Sequence, residues 1–296
     1  MTQLRSRPSL PCPGPAGRPP LHGLSASPPA PLAEGPARRG RVTLVGAGPG
    51  AEELLTLKAA RALTHAQVVL YDHLVSEDIL SLLPPDCERF YVGKQASRHS
   101  VPQPEIIAWL IQLAEGGQDV VRLKGGDPYI FGRGGEEAQA LAAAGVAVEV
   151  VPGISAAQGA SALAGIPLTH RDCADAVTYL TGHARADGVE RSAAEWAALA
   201  RPRQTLVVYM GLKRLRTICQ ALAASCLGAD CPAALVASAS LPTQQVLTGT
   251  LATLADRVEA AQVASPALLI VGEVVRLHAQ IGAARPEGAA AARHAN

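Results

Sequence analysis

Alternating strands and helices, glycine-rich loops set directly after strands, and an apolar fraction of 48% predict an α/β protein of two α/β domains. The chain has 296 residues, enough for two domains of ordinary size. The pattern divides it into a proline-rich extension (1–40), a first α/β domain (41–152), a second (153–280) and a tail (281–296).

Order begins at Arg41-Val42-Thr43-Leu44-Val45, a β-branched run that reads as a buried strand ending in Gly46-Ala47-Gly48-Pro49-Gly50. Helical spacing follows from 52 to 63 through Leu54, Leu57 and Leu63. Val68 to Tyr71 is the next strand and ends at Asp72; a short helix over 77–83 is stopped by Pro84-Pro85. A third strand covers 89–92. A helix over 104–115 opens on proline and closes on Gly116-Gly117. Strand 119–123, helix 136–144 and strand 146–151 complete a set whose alternation implies a parallel sheet covered on both faces. Beyond Pro152-Gly153 the order is more mixed: strands at 178–180, 205–209, 233–237, 245–249 and 268–271, with helices over 214–224 and 251–260.

Composition limits what the chain can do. Twenty-six Lys and Arg against 25 Asp and Glu leave a net charge of +1, which argues against a nucleic-acid binder with a basic face. Aromatics make up only 3%, too few for a surface that stacks bases. No uninterrupted apolar run reaches the roughly 18 residues of a membrane span. Six cysteines without a Cys-x-x-Cys pair read as free thiols in a reducing compartment, and the expected location is cytoplasmic. No metal is expected, since neither a His-x-x-x-His pattern nor a Cys cluster is present. Ten of the 23 prolines fall in the first 40 residues; that stretch predicts disorder, and a genuine tail and a start codon assigned too early fit it equally. The tail is Ala-rich and expected to be loose.

Ligands of parallel α/β sheets bind beyond the carboxyl ends of the strands, and three glycine loops fall there. Gly46 to Ala51 fits G-x-G-x-x-A, with Asp72 placed 26 residues after Gly46 as an acid for ribose hydroxyls; a tight turn explains it equally well. Lys124 to Glu137 holds five glycines in 14 residues, more than a turn needs, and exposes backbone to a flat ligand, with Lys124, Asp127 and Arg133 as charges beside it. Val151 to Ala157 places small residues after a strand, either as room for a nucleoside or for close helix packing.

These stretches, together with Leu70 to Val75, Val92-Gly93-Lys94, Ile166 to Arg171, Thr181-Gly182-His183, Val208 to Gly211 and Ser265 to Leu268, resemble the tetrapyrrole methyltransferase superfamily and, within it, the uroporphyrinogen-III C-methyltransferase family, over about residues 41 to 278. The resemblance implies two α/β domains with the active site in the cleft between them, a homodimer, and S-adenosylmethionine as cofactor, leaving as S-adenosylhomocysteine. The implied reaction methylates uroporphyrinogen III at two ring carbons to give precorrin-2, on the way to sirohaem and cobalamin. Cofactor contacts carry over to Pro49, Gly125, Gly126, Asp127, Ile130, Ser155, Ala156, Met210 and Ala239, and the proton acceptor and donor to Asp72 and Lys94. A substrate rich in carboxylates makes Arg98, Arg133, Arg171 and His183 its candidate contacts. Two positions depart from the family pattern: Ala239 stands where relatives have a glycine, and Gln95-Ala96-Ser97-Arg98 replaces a commoner Arg-Ala-Gly run. No oxidase or chelatase module precedes residue 41, so the methyltransferase alone is expected.

Three rival readings remain at this point. A methyltransferase for a later corrin precursor would share every motif. A nicotinamide-dependent oxidoreductase rests on Gly46 to Ala51 plus Asp72 and leaves the 124–137 loop unexplained. A non-catalytic S-adenosylmethionine sensor would keep the loops and dispense with Asp72 and Lys94.

Overall fold

The computed structural model describes residues 39–93, 101–184 and 188–282. The first sheet is fully parallel, in the order β3-β2-β4-β1-β5. Its strands are β1 (Arg41–Gly46), β2 (Val68–Tyr71), β3 (Glu88–Tyr91), β4 (Val120–Lys124) and β5 (Ala147–Val151). Period-2 alternation sorts their side chains between two layers. Val45, Val69, Tyr71, Val121 and Leu123 pack with α1 (Leu57–Thr64) and α2 (Glu77–Ser81). Val42, Leu44, Val68, Leu70 and Val120 pack with α3 (Gln103–Glu115) and α4 (Gly134–Ala143) on the other face.

The second sheet is mixed. It runs β6-β7-β10-β8-β9, where β6 (Ala176–Thr181) and β7 (Gln204–Tyr209) are parallel and β10 (Ala267–Val271), β8 (Pro232–Ala237) and β9 (Gln245–Thr250) pair antiparallel. One face carries α6 (Ala193–Leu199), α7 (Leu215–Ala223) and α8 (Leu254–Ala260) over Trp196, Leu206, Val208, Ile218 and Leu222. The other receives α5 (Ala156–Ala164), whose Ala157, Ala160 and Ala164 lie on Val207, Val236, Leu268 and Ile270. α5 follows the last strand of the first sheet yet packs on the second, so it is the element that couples the two halves. No helix among the described residues is long and apolar enough to cross a membrane.

Several expectations are corrected. The helix expected over 52–63 is broken: a 3-10 turn at Glu52–Leu54 is followed by extended backbone at Leu55, because Thr56 caps α1 by accepting from Ala59 N at 3.1 Å. The third strand lies one residue earlier than expected, at Glu88–Tyr91. α4 starts two residues earlier, within the glycines. The helix expected over 251–260 begins only at Leu254. α5 and α6 were not expected at all, although each opens with a capping box, Ser155 with Gln158 and Ser192 with Glu195.

Leu44 sits in β1 between β4 and β5 and has no solvent exposure. Truncation by Leu44→Ala is expected to lower the unfolding free energy by about 2–5 kcal/mol in urea titrations. A loss below about 1 kcal/mol would contradict the close packing of this layer.

Candidate functional site

The three glycine loops meet. Gly48 and Gly126 exchange backbone hydrogen bonds, N to O at 3.1 and 2.7 Å, and Ala47 N donates to Lys124 O at 2.8 Å. Asp127 ties the second loop to the third: its Oδ2 accepts from Gly153 N at 3.1 Å while Oδ1 accepts from Tyr129 N at 2.9 Å. Both carboxylate oxygens are thus held by backbone amides. The approach is close enough to exclude side chains. A Cβ at Gly153 would lie 2.3 Å from Gly126 O and 2.9 Å from Gly46 C. A Cβ at Gly126 would instead reach ordinary contact with Ala156 N at 3.5 Å, so the second loop lies directly against the start of α5.

The second half closes on this cluster. Ser155 caps α5 and is buried, and Ala157 N donates to the Tyr209 hydroxyl at 3.1 Å. Burial raises the Tyr209 phenol above its ordinary pKa, so it stays protonated. Its ring lies 4.9 Å from that of Phe131 in the second loop and 5.9 Å from that of Tyr179. On the first loop, Pro49 packs against α5 at Gly159, and Ala51 N donates to Ser240 Oγ at 2.9 Å in the β8–β9 connection. Met210 follows Tyr209 and is 41% exposed. Seven non-glycine residues among those described have left-handed backbone. Five of them, Phe131, Arg133, Met210, Ser238 and Ser240, lie on loops of this cluster or directly beside it. Ala239 is flanked by two of them but is not itself left-handed, so its side chain carries no backbone strain. Leu74, Tyr129, Phe131 and Met210 add exposed apolar surface to the same loops.

The cluster therefore brings together Pro49, Gly125, Gly126, Asp127, Ile130, Ser155, Ala156, Met210 and Ala239. It offers a nucleoside backbone groups and exposed apolar side chains, which suits a ligand recognised by shape and a few polar contacts. Lys94 and Arg98 lie outside the described residues. Arg133, at the N-cap of α4, is half-exposed and paired with Glu136 through Nε at 3.0 Å and Nη2 at 2.6 Å. Exposed His183 follows β6 at the same sheet edge as Met210. Arg171 is exposed too, but its carbonyl accepts from Arg203 Nη2 at 2.8 Å, at the opposite end of β6 and β7.

Lys124 does not stand free beside the second loop as expected; it is buried and turns inward. Asp72, at the end of β2, has a side chain 21% exposed; Oδ1 accepts from Leu74 N at 3.0 Å and Oδ2 lies 3.6 Å from Arg122 Nη2. Behind it, Arg122 Nε and Lys124 Nζ lie 3.2 and 3.1 Å from the Glu137 carboxylate, which is wholly buried, and Gln103 Nε2 donates to Glu137 at 2.9 Å. Burial alone would raise the Glu137 carboxyl, yet the two cations and Gln103 hold it below its usual range. Lys124 is pushed down to about 8 by burial and by the Arg122 charge, because one carboxylate is shared between two cations. Sequence reading missed Arg122, Glu137, Gln103, Tyr209 and Phe131 as contributors; the charged residues alternating in Val120-Val121-Arg122-Leu123-Lys124 were the available signal.

The profile of the family described as Tetrapyrrole (Corrin/Porphyrin) Methylases matches residues 41–255. Siroheme synthase from Gluconobacter oxydans is 53% identical over 245 residues, which cover 83% of this chain and 51% of that relative. The siroheme synthase of Acinetobacter baylyi is 54% identical over 250 residues, covering 84% and 54%. The chain spans about half the length of these curated relatives. Among solved structures, uroporphyrin-III C-methyl transferase from Thermus thermophilus complexed with S-adenyl homocysteine is 43% identical with a TM-score of 0.68, covering 80% of this chain and 94% of that one. A cobalt precorrin-4 methyltransferase is 26% identical with a TM-score of 0.69, covering 79% and 95%.

Two outcomes follow from the geometry. Gly153→Ala forces the second and third loops apart and is expected to cost about 1–3 kcal/mol in chemical unfolding; an unchanged midpoint would contradict the close approach. Between pH 8 and 10.5 the unfolded chain keeps a proton on Lys124 that the folded chain has released, so this residue adds stability as pH rises through that window. The wild type is therefore expected to gain unfolding free energy over Lys124→Met from pH 8 to 10.5, and a flat or falling difference would contradict the burial of this amine.

Proposed function

The chain belongs to the tetrapyrrole (corrin/porphyrin) methylases, and we propose that it methylates uroporphyrinogen III at two ring carbons to give precorrin-2, with S-adenosylmethionine as the methyl donor. One observation carries this reading: the three glycine loops interlock at the carboxyl edge of the first sheet and pack against the start of α5, leaving exposed backbone where a nucleoside can lie. When bound there, S-adenosylmethionine supplies a methyl group already activated by its sulfonium.

The protein's task is then to position an electron-rich ring carbon in line with that methyl and to manage a proton. In this reading Gly125, Gly126, Asp127, Ile130, Pro49, Ser155, Ala156, Met210 and Ala239 would hold the cofactor. Asp127 acts by clipping its loop to Gly153. Leu74, Tyr129 and Phe131 offer apolar surface to a flat macrocycle. Arg133 and His183 stand at this edge for the substrate's carboxylates, and the proposal extends the same role to Arg98 but not to Arg171, which lies at the far end of β6 and β7. Asp72 takes the proton that the ring system sheds after methylation, and Lys94 returns one or steadies charge. The reading implies a cytoplasmic homodimer whose product serves sirohaem or cobalamin. The higher identity to a uroporphyrin-III than to a cobalt-precorrin-4 methyltransferase favours the early substrate.

Anaerobic incubation with labelled S-adenosylmethionine and uroporphyrinogen III is expected to incorporate two methyl groups per macrocycle. Cofactor binding without incorporation would overturn the reading in favour of a sensor. Asp72→Ala is expected to slow turnover by about 100-fold while S-adenosylhomocysteine affinity stays within about twofold. Equal losses in both would contradict the proton-acceptor role.

A further inference from the structure

We propose that Arg122 is a positioning residue for the Asp72 carboxylate, and that buried Glu137, itself held by Lys124 and Gln103, locks its guanidinium in that orientation. The inference rests on the reading of Asp72 as proton acceptor and adds how that carboxylate is held.

Arg122 is the register partner of Leu70 on β2, two residues before Asp72. Its guanidinium is held from several sides. Nη1 donates to Leu70 O at 3.4 Å and to Leu123 O at 3.0 Å, Nε donates to Glu137 at 3.2 Å, and Nη2 faces Asp72 at 3.6 Å. A planar fork engaged on these sides has no freedom to turn away from the carboxylate.

The surroundings make the arrangement costly as a stability device. Arg122 and Lys124 occupy β4 positions on the face where Leu44, Leu70, Leu110 and Leu141 form an apolar layer. Replacing such buried ions by packed apolar side chains is often neutral or stabilising. The charges within the core do not balance by themselves: two cations share one carboxylate, and Asp72 at the rim supplies the second anion. Asp72, turned toward Arg122, thus completes a set of two cationic and two carboxylate side chains. Glu137 comes from α4, the helix that the second glycine loop feeds, so the same array also relates Asp72 to that loop.

The test is a double-mutant cycle of Arg122→Lys with Asp72→Asn, reading kcat and KM for uroporphyrinogen III and the Kd of S-adenosylhomocysteine by calorimetry. Arg122→Lys keeps the charge and loses the fork. It is expected to lower kcat about 10- to 100-fold, with KM and Kd within about twofold. In the Asp72→Asn background the same substitution is expected to cost under about twofold, because residues acting as a unit are not additive. An undiminished loss in that background, or a Kd that weakens in step with kcat, overturns the inference and leaves the Asp72 reading intact. A full-rate Asp72→Asn overturns both. Glu137→Gln, isosteric and read in the same cycle, serves if Lys is not tolerated at 122. Failure of both variants to bind S-adenosylhomocysteine would make the array a folding element and overturn the proposal.

Discussion

Three backbone segments approach one another more closely than any side chain permits, and most of the site depends on that contact. Gly46, Gly126 and Gly153 touch through main-chain atoms, and Asp127 fastens two of the loops by accepting from Gly153 N and Tyr129 N. Each loop leaves the carboxyl end of a strand in a parallel sheet, so their convergence follows from strand order: β4, β1 and β5 are adjacent. The contact also fixes where the second half sits. β5 leads through Gly153 to Ser155, which starts α5, and α5 carries the second sheet on its alanine face. Small residues therefore do two jobs here, admitting a ligand on one side and a neighbouring sheet on the other.

Electrostatics organises the β2–β4 side of the first sheet. A row of charges runs from Asp72 at the rim through Arg122 to Glu137 and Lys124 in the interior. Glu137 gains from two cations and stays ionised, whereas Lys124 does not recover its desolvation and sits near 8. A small change in one member is felt by the rest, since charges in a low-dielectric interior are weakly screened. The left-handed residues Phe131, Arg133, Met210, Ser238 and Ser240 add a second form of cost at the glycine loops and the turns beside them.

Much of this was legible in the sequence, and what was not has physical reasons. Strand ends followed by glycine loops identify themselves because they depend on local pattern, and Asp72 is placed by the same rule. α5 escapes notice because Ala156-Ala157-Gln158-Gly159-Ala160 has too little contrast for periodicity, although Ser155 and Gln158 spell its cap. Thr56 breaks a helix that spacing alone would continue. Glu136 and Glu137 are neighbours in a first turn, yet one is half-exposed with Arg133 and the other wholly buried. Only the direction of α4 against α3 and β4 decides that, and direction is a tertiary property. Lys124 reads as a loop charge for the same reason.

The most direct measurement of the central claim is a crystal structure of the full chain grown with S-adenosylhomocysteine. The nucleoside is expected against the exposed faces of Gly125-Gly126 and Ser155-Ala156, with the Gly48–Gly126 and Asp127–Gly153 hydrogen bonds unbroken. A nucleoside seated elsewhere, or loops separated to admit it, would contradict the claim.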